Sequence, residues 1–316
     1  MMKTDRDANL RPKVLFGATF AFVVHLLLVS VGGNIAFSAE PMFIWPDLAP
    51  GETSRETGTT QPNRKGEFPR ITRVTNIRRP TLAVFLPKQP NGTAILVLPG
   101  GGFGKVVPDM EGSEAAPFLN RLGIAVFVLS YRTNEAKAAD EPSWRRPLQD
   151  AQRAMRLIRS KADEWKIQPN RVGVLGFSAG GQVGSILHTA VGKAAYETID
   201  AIDEEPYRPD FSLLIYPWQI LDRKTAKLLS DIQLTEKSSP AFIVHTHDDR
   251  SSSIGSVLFY AGLKQHNVSA ELHIYENGGH GCGMRARNDS NIGTWPHRAN
   301  DWLIRRELGR PSHPAH

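Results

Sequence analysis

Apolar and polar positions along this chain follow two rhythms. Short runs rich in Val, Ile, Leu and Phe occupy residues 93–98, 125–129, 172–177, 211–216, 241–245 and 270–275, and a further run at 81–86 is expected to form an edge strand. Runs of this length and branching fit strands covered on both faces. Between the second and third run, Leu148, Ala151, Met155, Ile158, Ala162 and Trp165 recur at steps of three or four, the stripe of an amphipathic helix. A second stripe, Ile254, Val257, Leu258 and Ala261, follows 241–245, and Trp302 with Leu303 is assigned to a last covering helix. Alternation of strand and helix patterns predicts an α/β fold with a mostly parallel central sheet and helices on both faces.

The first 75 residues break this rhythm. Lys3, Arg6, Arg11 and Lys13 precede an apolar stretch at 14–31, and small residues follow in Ala36-Phe37-Ser38-Ala39. Basic, apolar and small segments in that order predict a secretory signal over residues 1–39, cleaved near Ser38 or Ala39 and leaving an exported protein. The membrane is a partner only if that signal stays uncleaved as an anchor. Residues 40–75, rich in Pro, Gly, Thr and charge, read as a wrapping lead-in, and 76–310 as one catalytic domain. Composition adds little to this division: 41% of the residues are hydrophobic and 22% charged, ordinary for a globular chain. The net charge of +6 is not gathered into basic runs, so a nucleic-acid partner is not expected. With Cys282 as its single cysteine, the chain has no internal disulfide and relies on burial alone.

The chemistry gathers where strands end. Gly176-Phe177-Ser178-Ala179-Gly180 closes the run at 172–177, and a serine on a tight strand-to-helix turn is lifted clear of the sheet. Ser178 is therefore the candidate nucleophile. A hydroxyl needs a base to remove its proton and donors to hold the oxyanion that forms. Pro99-Gly100-Gly101-Gly102-Phe103 ends the run at 93–98, and the backbone N–H groups of Gly101, Gly102 and Ala179 are the candidate donors. A phosphate-cradling loop is the competing reading, but Gly102-Phe103-Gly104-Lys105-Val106 lacks the ending such loops require. His280, in Gly278-Gly279-His280-Gly281 past the run at 270–275, is the candidate base; His188, His273 and His297 lie in helix or strand patterns.

The acid is expected after the run at 241–245, in the order Ser, Asp, His. That segment reads His245-Thr246-His247-Asp248-Asp249. Counting forward from His245 favours Asp249, whereas counting back from the helix containing Leu258, Phe259 and Tyr260 favours Asp248. The helix register is taken as the ruler, making Asp248 the expected acid. So many His and Asp together also suggest a metal site, yet no ligand spacing is completed elsewhere, and no metal or cofactor is expected.

Together, Leu98-Pro99-Gly100-Gly101-Gly102-Phe103, Pro147-Leu148-Gln149-Asp150-Ala151-Gln152-Arg153-Ala154, Gly173-Val174-Leu175-Gly176-Phe177-Ser178-Ala179-Gly180-Gly181 and the Gly-Gly-His-Gly end of 270–281 resemble the α/β-hydrolase superfamily. More narrowly they resemble secreted bacterial esterases of the acetylxylan-esterase and feruloyl-esterase-like kind. The likeness covers about residues 80–305. It implies an α/β-hydrolase fold, a triad of Ser178, Asp248 and His280, and an ester substrate on a small molecule or oligosaccharide. Two departures stand out: Ser251-Ser252-Ser253 follows the acid where relatives carry a Val-Glu-Asn-Ser pattern, and Cys282 stands where relatives have Phe. Cys282 is read as a small packing residue. A prolyl-oligopeptidase-like peptidase shares the triad order, and a catalytically silent binding module shares the fold; both remain as alternatives.

Overall fold

The computed structural model describes residues 42–189, 192 and 194–310. The predicted signal at 1–39 lies outside the described residues. Twelve strands occur among them: β1 (Met42–Phe43), β2 (Thr57–Thr60), β3 (Val74–Ile77), β4 (Thr81–Phe85), β5 (Ala94–Leu98), β6 (Ala125–Ser130), β7 (Val172–Phe177), β8 (Ser212–Ile215), β9 (Leu221–Asp222), β10 (Lys227–Leu228), β11 (Ala241–Thr246) and β12 (Ala270–Tyr275). The α-helices are α1 (Ala116–Arg121), α2 (Arg145–Ser160), α3 (Ala162–Trp165), α4 (Ser178–Thr189), α5 (Ile254–Gln265) and α6 (Trp295–Arg305).

Eight strands form the central sheet in the order β1-β4-β6-β5-β7-β8-β11-β12. The six from β6 to β12 run parallel, while β4 and β1 are antiparallel additions. The expected mostly parallel sheet with helices on both faces is what forms. Period-2 alternation splits each strand between two cores. Leu96, Leu98, Val174 and Ile243 pack with α2, α4 and α5, whereas Val97, Leu175, Phe177 and Val244 pack with α1 and α6. Trp302 and Leu303 lie buried in α6, as expected for the last covering helix.

Four expectations change in detail. The run at 81–86 is not the sheet edge, because Met42 and Phe43 pair outside it with Leu82 and Thr81. The boundary drawn at residue 75 falls inside β3, which pairs with β2 of the lead-in, so the lead-in is stitched into the domain. The helix expected through Trp165 breaks at Lys161 into α2 and α3. Finally, α5 buries Gly255, Ser256, Phe259 and Leu263 and leaves Ile254 and Val257 exposed, so its buried face is not the apolar stripe. No described helix is long and apolar enough to cross a membrane.

Candidate functional site

The carboxyl ends of β5, β7, β11 and β12 place the chemistry-bearing residues on one edge of the sheet. Central strand β7 ends at Phe177, and Ser178 turns with a left-handed φ of 53° as α4 begins. A non-glycine residue in that region stores strain that only a well-packed surround sustains. The surround is tight: a Cβ at Gly180 would run into the carbonyls of Leu98 and Pro99, and one at Gly176 would lie 2.5 Å from the Gly180 carbonyl oxygen. These contacts give the physical reason for the Gly-x-Ser-x-Gly spacing.

His280 meets the serine from the loop after β12, with Nε2 2.6 Å from Ser178 Oγ. Its Nδ1 lies 2.7 Å from Asp249 Oδ2, in the turn after β11. An ionised carboxylate only accepts, so Nδ1–H donates to Asp249 and Nε2 is left to accept the serine proton. The Asp249 side chain also receives the Ser251 N–H at 2.7 Å and lies 3.2 Å from His245 Nε2. Burial opposes its charge, but hydrogen bonds from His245, His280 and Ser251 outweigh burial and hold the carboxyl well below the usual carboxylate range.

Asp248, the acid expected from the helix register, does not touch His280. Its carboxylate accepts the backbone N–H groups of Gly279 at 2.8 Å and Gly278 at 3.2 Å. It pins the base of the histidine loop instead. The helix register misled because the strand end fixes the acid: α5 buries Ser256 beside Phe259 and Leu263, and Ser256 hydrogen-bonds His245 Nδ1 at 2.8 Å. His245 in turn reaches Asp249 four residues on, so the strand end was the better ruler. From the other side, Arg287 clamps the same loop by donating to the carbonyls of Gly278 and His280, both at 2.6 Å.

A cavity of about 390 Å³ opens over Ser178 and His280 and is lined also by Gly101, Gly102, Glu111 and Trp218. Gly101 and Gly102 thus stand on the same cavity as the serine, and Ala179 is buried in the first turn of α4. The lead-in supplies the opposite wall through Arg64, Glu67, Ile71 and Arg73. Three ties hold that wall: the Thr72 N–H donates to Asp109 at 2.6 Å, Arg73 forks onto Glu67, and Arg285 reaches the carbonyls of Pro69 and Arg70 at 3.0 and 2.8 Å.

Glu111, 3% exposed, is the site residue the pattern did not single out. Burial pushes its carboxyl above the ordinary range, partly offset by the hydrogen bond it accepts from Tyr216 Oη at 2.9 Å and by the charges of His280, Arg287 and Lys105. The left-handed turn at Tyr216, φ 38°, ends β8 and aims this hydroxyl. Its oxygen accepts the Gly283 N–H at 2.6 Å, linking the β8 end, Glu111 and the histidine loop. Trp218 stacks edge-on 5.1 Å from the His280 ring, and its backbone N–H donates to the Ser178 carbonyl at 2.8 Å. Cys282 is buried behind the loop, where burial pushes its thiol up to about 11; it packs, as expected, and is no thiolate.

Six parallel strands, a strained serine at the end of β7, and an aspartate and a histidine past the ends of β11 and β12 lead to one assignment. The chain is an α/β hydrolase. Residues 82–214 of this hydrolase match the BD-FAE family. An acetylxylan esterase of Xylanibacter ruminicola is 30% identical over 238 residues, which are 68% of this chain and 44% of that protein. Endo-1,4-beta-xylanase B of Butyrivibrio fibrisolvens is 30% identical over 226 residues, 64% of this chain and 34% of that one. The hydrolase thus spans under half the length of these curated relatives. Among solved structures, an acetyl ester-xyloside bifunctional hydrolase from Caldicellulosiruptor lactoaceticus superposes with a TM-score of 0.64 at 29% identity, covering 85% of this chain and 97% of that one.

Proposed function

We propose that this hydrolase is a serine esterase that removes short acyl groups, acetyl above all, from sugars or plant polysaccharide fragments. The observation that carries the reading is the unbroken line from Ser178 Oγ to His280 Nε2 at 2.6 Å and from His280 Nδ1 to Asp249 at 2.7 Å. The acyl and sugar parts of the reading draw on the acetylxylan esterase and the acetyl ester-xyloside hydrolase to which the chain is similar.

In the first half-reaction Ser178 Oγ attacks the acyl carbon while its proton passes to His280 Nε2. The carbonyl oxygen becomes an oxyanion, for which the N–H groups of Gly101, Gly102 and Ala179 are the proposed donors. Asp249 keeps the imidazole in the right tautomer and stabilises the imidazolium. Collapse breaks the ester C–O bond, and His280 returns the proton to the departing sugar oxygen. Water then gives a proton to His280 and attacks the acyl-serine, releasing acetate and restoring Ser178. Export through the signal at 1–39 belongs to the same proposal, since it brings the enzyme to polymeric substrate.

The test is a substrate panel on the mature protein: acetylated xylo-oligosaccharides, nitrophenyl acetate and octanoate, and peptide amides. Acetates are expected to be cleaved and octanoate to lag. Faster cleavage of octanoate, or of a prolyl peptide bond, would overturn the reading.

A further inference from the structure

Cationic side chains crowd the mouth of the cavity, and the mechanism above uses none of them. Arg64, Arg73, Lys105 and Arg250 all line the cavity over Ser178. A second cavity of about 450 Å³ continues along the lead-in and shares Arg64, Arg73, Lys105, Gly101 and Gly102 with the first. Among the described residues, no acidic side chain lines this second cavity; Gln61, Pro62, Thr75 and Gly104 complete it.

Neutralisation within the wall is incomplete. Glu67 is taken up by Arg73, which forks onto both of its oxygens. Among the described residues, no carboxylate forms an ion pair with Arg64, Lys105 or Arg250. Glu111 lies at the floor, hydrogen-bonded to Tyr216, and its burial favours the uncharged acid. Arg250 is also held in place: its guanidinium lies 5.1 Å over the Trp218 ring, whose other neighbour is His280. Like charges left facing one another repel, and low-dielectric walls focus their field into the cleft. A ligand group bearing negative charge relieves that repulsion, and the planar fork of arginine suits two-oxygen acceptors.

We propose that the groove running from Ser178 along the lead-in is an anion-binding subsite, which holds a carboxylate or sulfate substituent on the saccharide whose ester is cleaved. The proposal rests on the esterase reading and sharpens its substrate class to acidic saccharides. Arg64 and Lys105 meet the anion where the two cavities join, and Arg250 guards the side nearest the serine.

The experiment compares kcat/KM on three acetylated oligosaccharides of equal length, one neutral, one carrying a uronate and one carrying a sulfate ester. At low salt one charged substrate is expected to exceed the neutral one by about tenfold or more, and the gap to shrink as salt rises toward about 0.5 M. Whichever charged substrate leads identifies the anion. In the Arg64→Gln/Lys105→Gln double variant, altered at partly or fully exposed positions, most of that preference should disappear through KM; Arg250→Gln should remove a smaller part. Equal kcat/KM on all three substrates, or a preference that survives the double variant, would overturn the subsite. Titration calorimetry of Ser178→Ala with the deacetylated charged oligosaccharides reads binding without turnover, and no gain over the neutral oligosaccharide is again a refutation. If none of the acetates is cleaved but the charged oligosaccharide still binds more tightly, the esterase reading falls and the subsite stands.

Discussion

The two sides of the cavity are built on different principles. On one side Ser178, Asp249 and His280 follow within a few residues the ends of parallel strands, two of them buried throughout, so sheet hydrogen bonding and the two cores set their positions. On the other side Arg64, Glu67 and Arg73 belong to a lead-in with a two-strand ribbon and three polar ties. Reaction geometry needs positions held to fractions of an ångström, which a packed sheet delivers. Recognition of a bulky sugar tolerates a softer wall, which surface loops provide. Damage to the sheet side should therefore strike turnover, and damage to the lead-in side should strike binding.

The largest effect is expected from Ser178→Ala. Turnover should fall by about 10⁶, by analogy with other serine nucleophiles, while thermal unfolding stays near wild type. A fluorophosphonate probe should label Ser178 alone, and labelling elsewhere would dissolve the contrast at its centre. Next comes the aspartate pair. Asp249→Asn should cost about 10⁴ in kcat by fixing the wrong histidine tautomer, whereas Asp248→Asn, which only weakens a tie to the Gly278 and Gly279 N–H groups, should keep at least about a tenth of the rate. The reverse ranking would hand the role back to Asp248.

On the soft side, Asp109→Ala removes the carboxylate that receives the Thr72 N–H. We expect KM for an oligosaccharide acetate to rise about tenfold with kcat within about twofold of wild type, together with faster proteolysis near residue 70. A loss confined to kcat would mean the wall takes part in positioning the reacting atoms.

The smallest effect concerns Glu111 and is a gain. A carboxyl whose native pKa is raised lets the unfolded chain release its proton first. It therefore costs stability above its ordinary value near 4.5, increasingly so until the native pKa is passed. Glu111→Gln keeps an acceptor for Tyr216 and removes the buried acid. Chemical denaturation should show no gain below about pH 4.5 and a gain that grows as the pH is raised toward about 8. A flat difference across this range would mean that Glu111 is not held uncharged.

Much of the sheet side was legible in residue order. Runs of branched apolar residues marked β5, β6, β7, β8 and β11 to within a residue or so at each end, because strands covered on both faces admit little else; β12 falls where expected but is the sheet's edge, its Ala-Glu-Leu-His-Ile-Tyr run only partly buried. Gly176, Ser178 and Gly180 marked the elbow because the Leu98 carbonyl leaves no room for a Cβ. His280 followed from its place after the last strand. Side-by-side Asp248 and Asp249 were beyond that reading, since the strand end rather than the α5 register fixes the acid, and only the fold brings His245 to Asp249.

By its own pattern, then, the amino-acid sequence determined the parallel sheet, the strained serine and the loop that carries the histidine, all local consequences of side-chain size and periodicity. Tertiary structure alone decided that Asp249 holds the imidazole, that Glu111 and Tyr216 meet beneath the cavity, and that the lead-in brings Arg64 and Arg73 to its mouth. Asp249 lies 31 positions from His280 and Glu111 lies 105 from Tyr216, and no local propensity reports a contact at that separation.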